Sequence, residues 1–472
     1  MIEDEIYDEW VPLNKRKSLS LIRILGIASG NLVPGLLWNV IFTLLEPFVK
    51  ELGISSTVKT ILLLYGSFIG FILGPVLGVA SDRLMFKFGR RRIFVIIGGI
   101  VVVIALLLMM YCVEIGKKLS PRNPYPYQQA TFIIAICLAF TAGNVIQSPA
   151  RVLCSDVTPI SQQNLMSNIC QVYSGVASIF SNLLGGLEVY KYTSLEQKQF
   201  LLVVSLSIAF AAMLISTISA REEPLRNKPP KVNPFKQIWE AFKKIPKPFS
   251  RVIPAFFFAN IATYQYQVAF SDFMGSEIMK GNAREGCTAE EKALYDKGVS
   301  WSMMCNVMNN AIQLFYGFVN SKVCELIGMK WVMVIGNGLM SIGLLLFFFV
   351  SNRFAYLAFT GLIGLGTVIY MAIPYAVVSI VIPTEELGNN LGILNCFCVL
   401  GQQVSNFAIG KGLSSVYGNS PRKNIGYSSI FSLLATIASL FVLQPSLADV
   451  GNYDKIQDES SDADGIVMEF CH

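Results

Sequence analysis

The sequence predicts an all-α membrane protein whose twelve transmembrane helices form two six-helix halves. Three observations carry that expectation. Only 14% of the 472 residues are charged and 53% are apolar, whereas a soluble domain carries about 25% charge, so lipid must cover much of the surface. Long apolar runs, such as IFVIIGGIVVVIALLLMMYCV, FLLVVSLSIAFAAMLISTIS and WVMVIGNGLMSIGLLLFFFV, reach the length of a spanning helix, about 20 residues. One long polar stretch, REEPLRNKPPKVNPFKQIWEAFKKIPKPFSR, divides these runs into two sets. A soluble enzyme, a nucleic-acid-binding domain and a disordered chain are thereby excluded. A membrane β-barrel would show short alternating segments instead.

Taken in order, hydropathy places the first six spans at 24–49, 58–81, 93–114, 129–157, 164–187 and 199–219. The second six fall at 252–272, 299–319, 331–350, 354–382, 388–412 and 426–444. The domains that follow are an N-terminal tail at 1–23, a first half at 24–219, a linker at 220–251, a second half at 252–446 and a C-terminal tail at 447–472. The prolines of the linker argue against one continuous helix, although FKQIWEAFKK has the pattern of a short amphipathic one.

The first twenty residues are acidic and polar and carry no signal-peptide pattern. The Lys and Arg of the N-terminal KRK, of FKFGRRR and of the linker form dense clusters on one side of the spans. Such clusters resist translocation, so both termini are expected in the cytoplasm. The host membrane, plasma membrane or organelle, stays open. The single histidine is the last residue, His472, so no imidazole is available as base or ligand within the spans. The ten cysteines show no metal-ligand spacing and read as small buried residues. No metal, cofactor, catalysis or nucleic-acid partner is expected, only a small solute and the bilayer, with the chain a monomer.

Polar side chains gather in stripes. Helix four carries Asn144, Gln147 and Arg151 on one face, and helix five carries Asn164, Asn168, Gln171 and Asn182. Helix seven has Gln265 and Asp272, with Tyr264, Tyr266 and Gln267 beside them. Helix eight has Asn306, Asn309, Asn310 and Gln313, and helix eleven has Asn395, Gln402 and Asn406. Every third helix, namely three, six, nine and twelve, lacks such a stripe. Polar groups are costly in hydrocarbon and face a bundle interior or a watered cavity. The dry helices therefore belong outside and the wet ones around a central path, the plan of a secondary transporter. The competing reading, that these amides only join helices by hydrogen bonds, stays open for any single residue.

The segment GVASDRLMFKFGRRR resembles the G-x-x-x-D-R…G-R-R signature of the major facilitator superfamily, and SDR-x4-FGRRR is similar to its sucrose transporter branch, within the glycoside–pentoside–hexuronide cation symporters. LLEPFVKELGI resembles that branch's LLTPYVQLLGI, and NVIQSPARVLCSDVT its stretch with the core RALLADLT. FSDFMGSEI resembles DTDWMGREV, and YDKGVSWSMMCNVMNN resembles YDRGVRAGALGLMLNS. IPYAVVSI followed by LGILNCFCVLGQQ resembles IPFALASI followed by LGVLNLAIVVPQ. The resemblance implies the major facilitator fold and proton-coupled uptake of sucrose or a related glycoside by alternating access, with the proton as coupling ion.

It also assigns candidate roles. Asp156 matches the carboxylate of RALLADLT and is the candidate proton carrier, because a carboxylate in a low-dielectric site can load on one side and discharge on the other. Arg151 offers a fork of donors to that carboxylate or to sugar hydroxyls. Asn144, Gln147, Asn168, Asn309, Asn395 and Gln402 can both donate to and accept from a polyol. Trp38, Tyr264 and Tyr266 supply flat faces for a pyranose ring, and Asp272 keeps the second carboxylate of DTDWMG. Asp82, Arg83, Arg90 and Arg91 are the gate candidates, implied to bridge helices on the cytoplasmic side. Departures from the branch are Phe140 and Phe270, where it carries Asp, and Ser300, where it carries Arg. They leave open an uncoupled facilitator of sugar or another small molecule, or a non-transporting receptor on a transporter scaffold.

Overall fold

Apolar runs of spanning length form helices wherever the backbone has no other way to satisfy its polar groups in lipid, and the computed structural model obeys that constraint throughout. It describes residues 12–86, 89–159, 162–222, 233–284, 286–382 and 387–444. The first eleven residues of the N-terminal tail, part of the linker and the acidic C-terminal tail lie outside these residues. Among the described residues there is no β-strand.

The first half comprises α1 (Leu21–Glu51), α2 (Ser56–Arg83), α3 (Arg92–Met110), α4 (Tyr125–Val157), α5 (Gln163–Gly186) and α6 (Gln197–Ser219). A linker helix follows at Pro234–Lys243. The second half comprises α7 (Lys247–Asp272), α8 (Ala289–Ile327), α9 (Met329–Leu345), α10 (Ala355–Val381), α11 (Leu387–Val404) and α12 (Pro421–Ser439). Two of these run on into wider turns. π-helical turns continue α7 through Phe273–Ile278 and α11 through Ser405–Leu413.

Eight of the twelve are long and apolar enough to span a bilayer on composition alone, namely α1, α2, α3, α4, α6, α9, α10 and α11. The other four, α5, α7, α8 and α12, are diluted by amides, hydroxyls or charge, so their place in the bundle is set by packing. Two apolar cores hold the halves. One is built almost wholly from α1–α6, the other from the linker helix and α7–α12. Helices α3, α6, α9 and α12 turn Ile100, Phe210, Ile342 and Ile437 outward as exposed apolar side chains. In a bilayer that is the stable placement for such side chains.

Both ends of the described chain lie at one end of the bundle, here the terminal end. The short α1–α2 turn and the α7–α8 loop lie at the other, the far end. Residues that join the halves gather at mid-depth and toward the far end. Ser67 on α2 donates to Gln402 on α11 at 3.1 Å, and Asn406 donates to the Thr60 carbonyl at 3.1 Å. Gln197 on α6 donates to Ser300 on α8 at 2.7 Å, and Lys50 on α1 pairs with Asp272 on α7.

A central amide and aromatic cavity

The helix pattern sends polar stripes inward, and a cavity of about 560 Å³ opens where they meet. Its lining comes from α1, α2, α4, α5, α7, α8, α10 and α11, and none of it from α3, α6, α9 or α12. Both halves therefore contribute, and only helices that carry polar or small residues at mid-depth do so. Glycines let α4 approach. A Cβ at Gly66 would sit 2.6 Å from the Phe140 ring, and one at Gly70 would sit 2.6 Å from Asn144 Oδ1.

The structure brings Trp38, Asn144, Gln147, Tyr264, Tyr266, Asn309, Asn395 and Gln402 together around this space. Trp38 Nε1 donates to Gln147 Oε1 at 3.3 Å, and Asn144 donates to the Phe140 carbonyl at 2.8 Å. Tyr266 donates to Asn306 at 2.7 Å, and Asn309, which donates to the Thr360 carbonyl at 2.9 Å, accepts from Gln313 at 2.6 Å. Gln267, Asn310 and Asn395 line the cavity with no hydrogen-bond partner among the described residues. Their donors and acceptors face the space. Aromatic rings form two walls. Trp38, Phe42 and Phe140 stand on one side, Tyr264, Tyr266 and Phe270 on the other, and Phe42 meets Tyr264 edge-on at 6.3 Å. Among the described residues no Asp, Glu, Lys or Arg lines the cavity.

The charged candidates stand elsewhere. Arg151 is exposed one turn beyond Gln147 toward the terminal end. Asp156 lies farther along the same helix, outside the cavity lining, where its Oδ2 accepts from Arg90 Nη2 at 2.8 Å and Arg91 Nε at 3.2 Å. Arg90 also meets Glu222 Oε1 at 3.4 Å, and Glu222 Oε2 accepts the Arg91 N–H at 2.9 Å. Arg91 donates to Ser81 on α2, and Arg92 to the Thr217 carbonyl on α6 at 2.6 Å. Asp156 and the gate candidates Arg90 and Arg91 thus share one cluster that ties together α2, the start of α3, α4 and the residues just past α6. Burial pushes the Glu222 carboxyl above its usual range, partly offset by the N–H groups it accepts from Arg91 and Arg92. The side chains of Asp82, Arg83 and Asn168 lie outside the described part of the structure.

Asp272, expected with the substrate ligands, falls outside the central cavity. It is six residues past Tyr266, about 9 Å farther along the axis, where the backbone turns π-helical. It lines instead a far-end vestibule of about 760 Å³. There it pairs with Lys50 and accepts the Tyr295 hydroxyl at 3.0 Å, while Lys59 pairs with Glu46 at 2.5 Å. Lys50, Glu46 and Lys59 were missed as candidates. A signal was present: Glu46 and Lys59 occupy predicted spans, and ionisable residues there mark function by default.

A two-halved bundle with a polar cavity between its halves has the plan of a membrane transporter of the secondary class. The chain belongs to the Major Facilitator Superfamily, whose family model matches residues 27–282 and 293–456. It is 24% identical over 468 residues to sucrose transport protein SUC4 of Arabidopsis thaliana, covering 89% of each chain. It is 22% identical over 482 residues to sucrose transport protein SUT1 of Oryza sativa subsp. japonica, covering 90% of this chain and 88% of that one. In fold it is similar to a bacterial homolog of the human lysosomal transporter Spinster, in an inward-facing, unoccupied conformation. The TM-score is 0.60 at 12% identity, over 91% of this chain and all of that one. It is similar to a mutant of the nucleoside transporter NupG to the same degree, with TM-score 0.60 and 12% identity over 89% of this chain.

Proposed function

We propose that this protein moves a neutral sugar, sucrose or a related glycoside, across a membrane by alternating access, coupled to a proton and with both termini cytoplasmic. The observation that carries the sugar reading is the cavity's chemistry: amides, hydroxyls and aromatic faces, with no charged side chain among the described residues. An uncharged polyol needs many partners that both donate and accept, and its ring faces rest on aromatic walls. The volume lies within the range of small-molecule sites, about 300–1,000 Å³. The sucrose transport proteins to which the chain is similar support the same class.

Proton coupling is supported by buried or half-buried carboxylates on both sides of the cavity, Asp156 at the terminal end and Asp272 at the far end, each held by basic side chains. Rocking of the halves would break the Lys50–Asp272 pair, and a proton on Asp272 would take its place. One observation favours a second reading, uncoupled facilitation: no carboxylate among the described residues reaches the cavity itself.

Proteoliposomes holding the full chain, given labelled sucrose and other mono- and disaccharides with and without an imposed proton gradient, test both. Accumulation above equilibrium only with the gradient supports symport. Equilibration alone establishes the facilitator, and no saturable uptake of any sugar overturns the sugar reading. Asp156→Asn and Asp272→Asn then locate the coupling carboxylate as the variant whose uptake loses its response to the gradient.

A further inference from the structure

The linker helix offers a surface that the transport reading does not use. Pro234–Lys243 is an amphipathic helix laid against the terminal end of the second half. Its Ala241 is buried, and Ile238 lies against Gly392 on α11, at 3.3 Å from where a Cβ would stand there. Phe242 stacks on Phe397 with ring centroids 6.3 Å apart. Phe397 is ten residues into α11, about 15 Å along its axis. The linker helix therefore rests against the first half of α11, on the side of the terminal end. It also touches α2, so it sits beside both halves.

Much of the helix's aromatic surface is left open, the outer part of Phe242 included. Phe235, Trp239 and Phe242, at i, i+4 and i+7, are 42%, 61% and 44% exposed. Trp239 and Phe242 stack nearly parallel at 6.1 Å, and Lys243 lies 5.8 Å over the Trp239 ring. Lys236 and Lys243 belong to this helix, and Lys244, Lys247 and Arg251 follow within eight residues of its end, against one acid in the helix, Glu240, which meets Lys236 at 3.7 Å. Such a face in water would cost apolar exposure. At a headgroup boundary the rings sit at the acyl edge and the ammonium groups reach the phosphates.

We propose that the linker helix is an interfacial lipid-binding element, seated in the leaflet at the terminal end and selective for anionic phospholipid headgroups. The inference stands apart from the sugar reading, and its test needs no transport. Full-length protein is placed in vesicles of phosphatidylcholine alone or with phosphatidylglycerol. The share of emission due to Trp239 is isolated by subtracting the Trp239→Phe variant. Phospholipids brominated near the headgroup should quench that share, and aqueous iodide should not. Each Lys at an anionic surface carries about a fivefold preference. Quenching should therefore be stronger in anionic vesicles, and replacing Lys236, Lys243, Lys244 and Lys247 together by Gln should abolish the increment. The same four positions changed to Arg should retain it, which separates charge loss from misfolding. Quenching by iodide but not by brominated lipid would overturn the proposal. So would equal quenching in neutral and anionic vesicles, which would mean insertion without headgroup recognition.

Discussion

The pair between Lys50 and Asp272 is the perturbation that speaks most directly to how the halves move. It joins α1 to α7 at the far end, with the Asp272 side chain 8% exposed and that of Lys50 22% exposed. Tyr295 donates to the same carboxylate, and its ring lies 5.4 Å from the Lys50 ammonium. Removing one partner of a fully buried pair costs about 3–5 kcal/mol. The partial exposure of Lys50 lowers this to about 2 kcal/mol, roughly a thirtyfold change in the ratio of far-closed to far-open molecules. Lys50→Met should shift that ratio toward far-open. Spin labels at Thr57 and Glu290, exposed positions at the far ends of α2 and α8, would report it as a longer-distance population in a double electron–electron resonance measurement. Asp272→Asn should act similarly, and the double variant should cost less than the two single changes added. If Lys50→Met leaves the distance distribution unchanged, or if the two changes add, the pair is not a latch and this reasoning fails.

Three further outcomes are expected. Gly66→Ala forces a methyl against the buried Phe140 ring and should lower stability by about 1–3 kcal/mol. The drop would be read as a lower thermal midpoint of the purified protein, with Phe140→Leu restoring part of it; an unshifted midpoint would refute the tight α2–α4 approach. Trp38→Ala removes one aromatic wall and the Nε1 donor to Gln147. It should raise the half-saturating sugar concentration about tenfold, with Trp38→Phe milder, and equal effects would deny stacking a role. Glu222 has a carboxyl raised by burial, so the folded state holds its proton more tightly than the unfolded chain. That stability is fully present below the ordinary glutamate range and is lost as pH rises through the raised value. Glu222→Gln should flatten the pH dependence of unfolding over that window, and an unchanged slope would remove Glu222 from the account.

Much of the site was legible because polarity in a membrane is expensive and therefore informative. Trp38, Asn144, Gln147, Asn309, Asn395 and Gln402 were readable as polar or amphipathic groups within apolar spans, and they meet at the cavity. Their neighbours Asn39 and Ser67 were not singled out, because one small polar residue in a span forms no stripe. Asp156 and Asp272 differ, because their partners are distant in the chain. Both were recognisable as carboxylates near span ends, but nothing in the spacing along α4 or α7 names Arg90, Arg91 or Lys50 as their partners. The partners lie 66, 65 and 222 positions away, and only the crossing of helices sets which ones come within reach.

Length and polarity against lipid are properties of each segment alone, so the helices, their grouping in two sets and the helices that turn a polar face inward are all written in the chain. Only the packing of the helices sets that, among the described residues, no charged side chain lines the cavity and that Asp272 faces a vestibule instead. It also sets that the terminal-end arginines converge on Asp156. Those outcomes depend on distances between segments far apart in the chain, and no segment encodes such a distance separately.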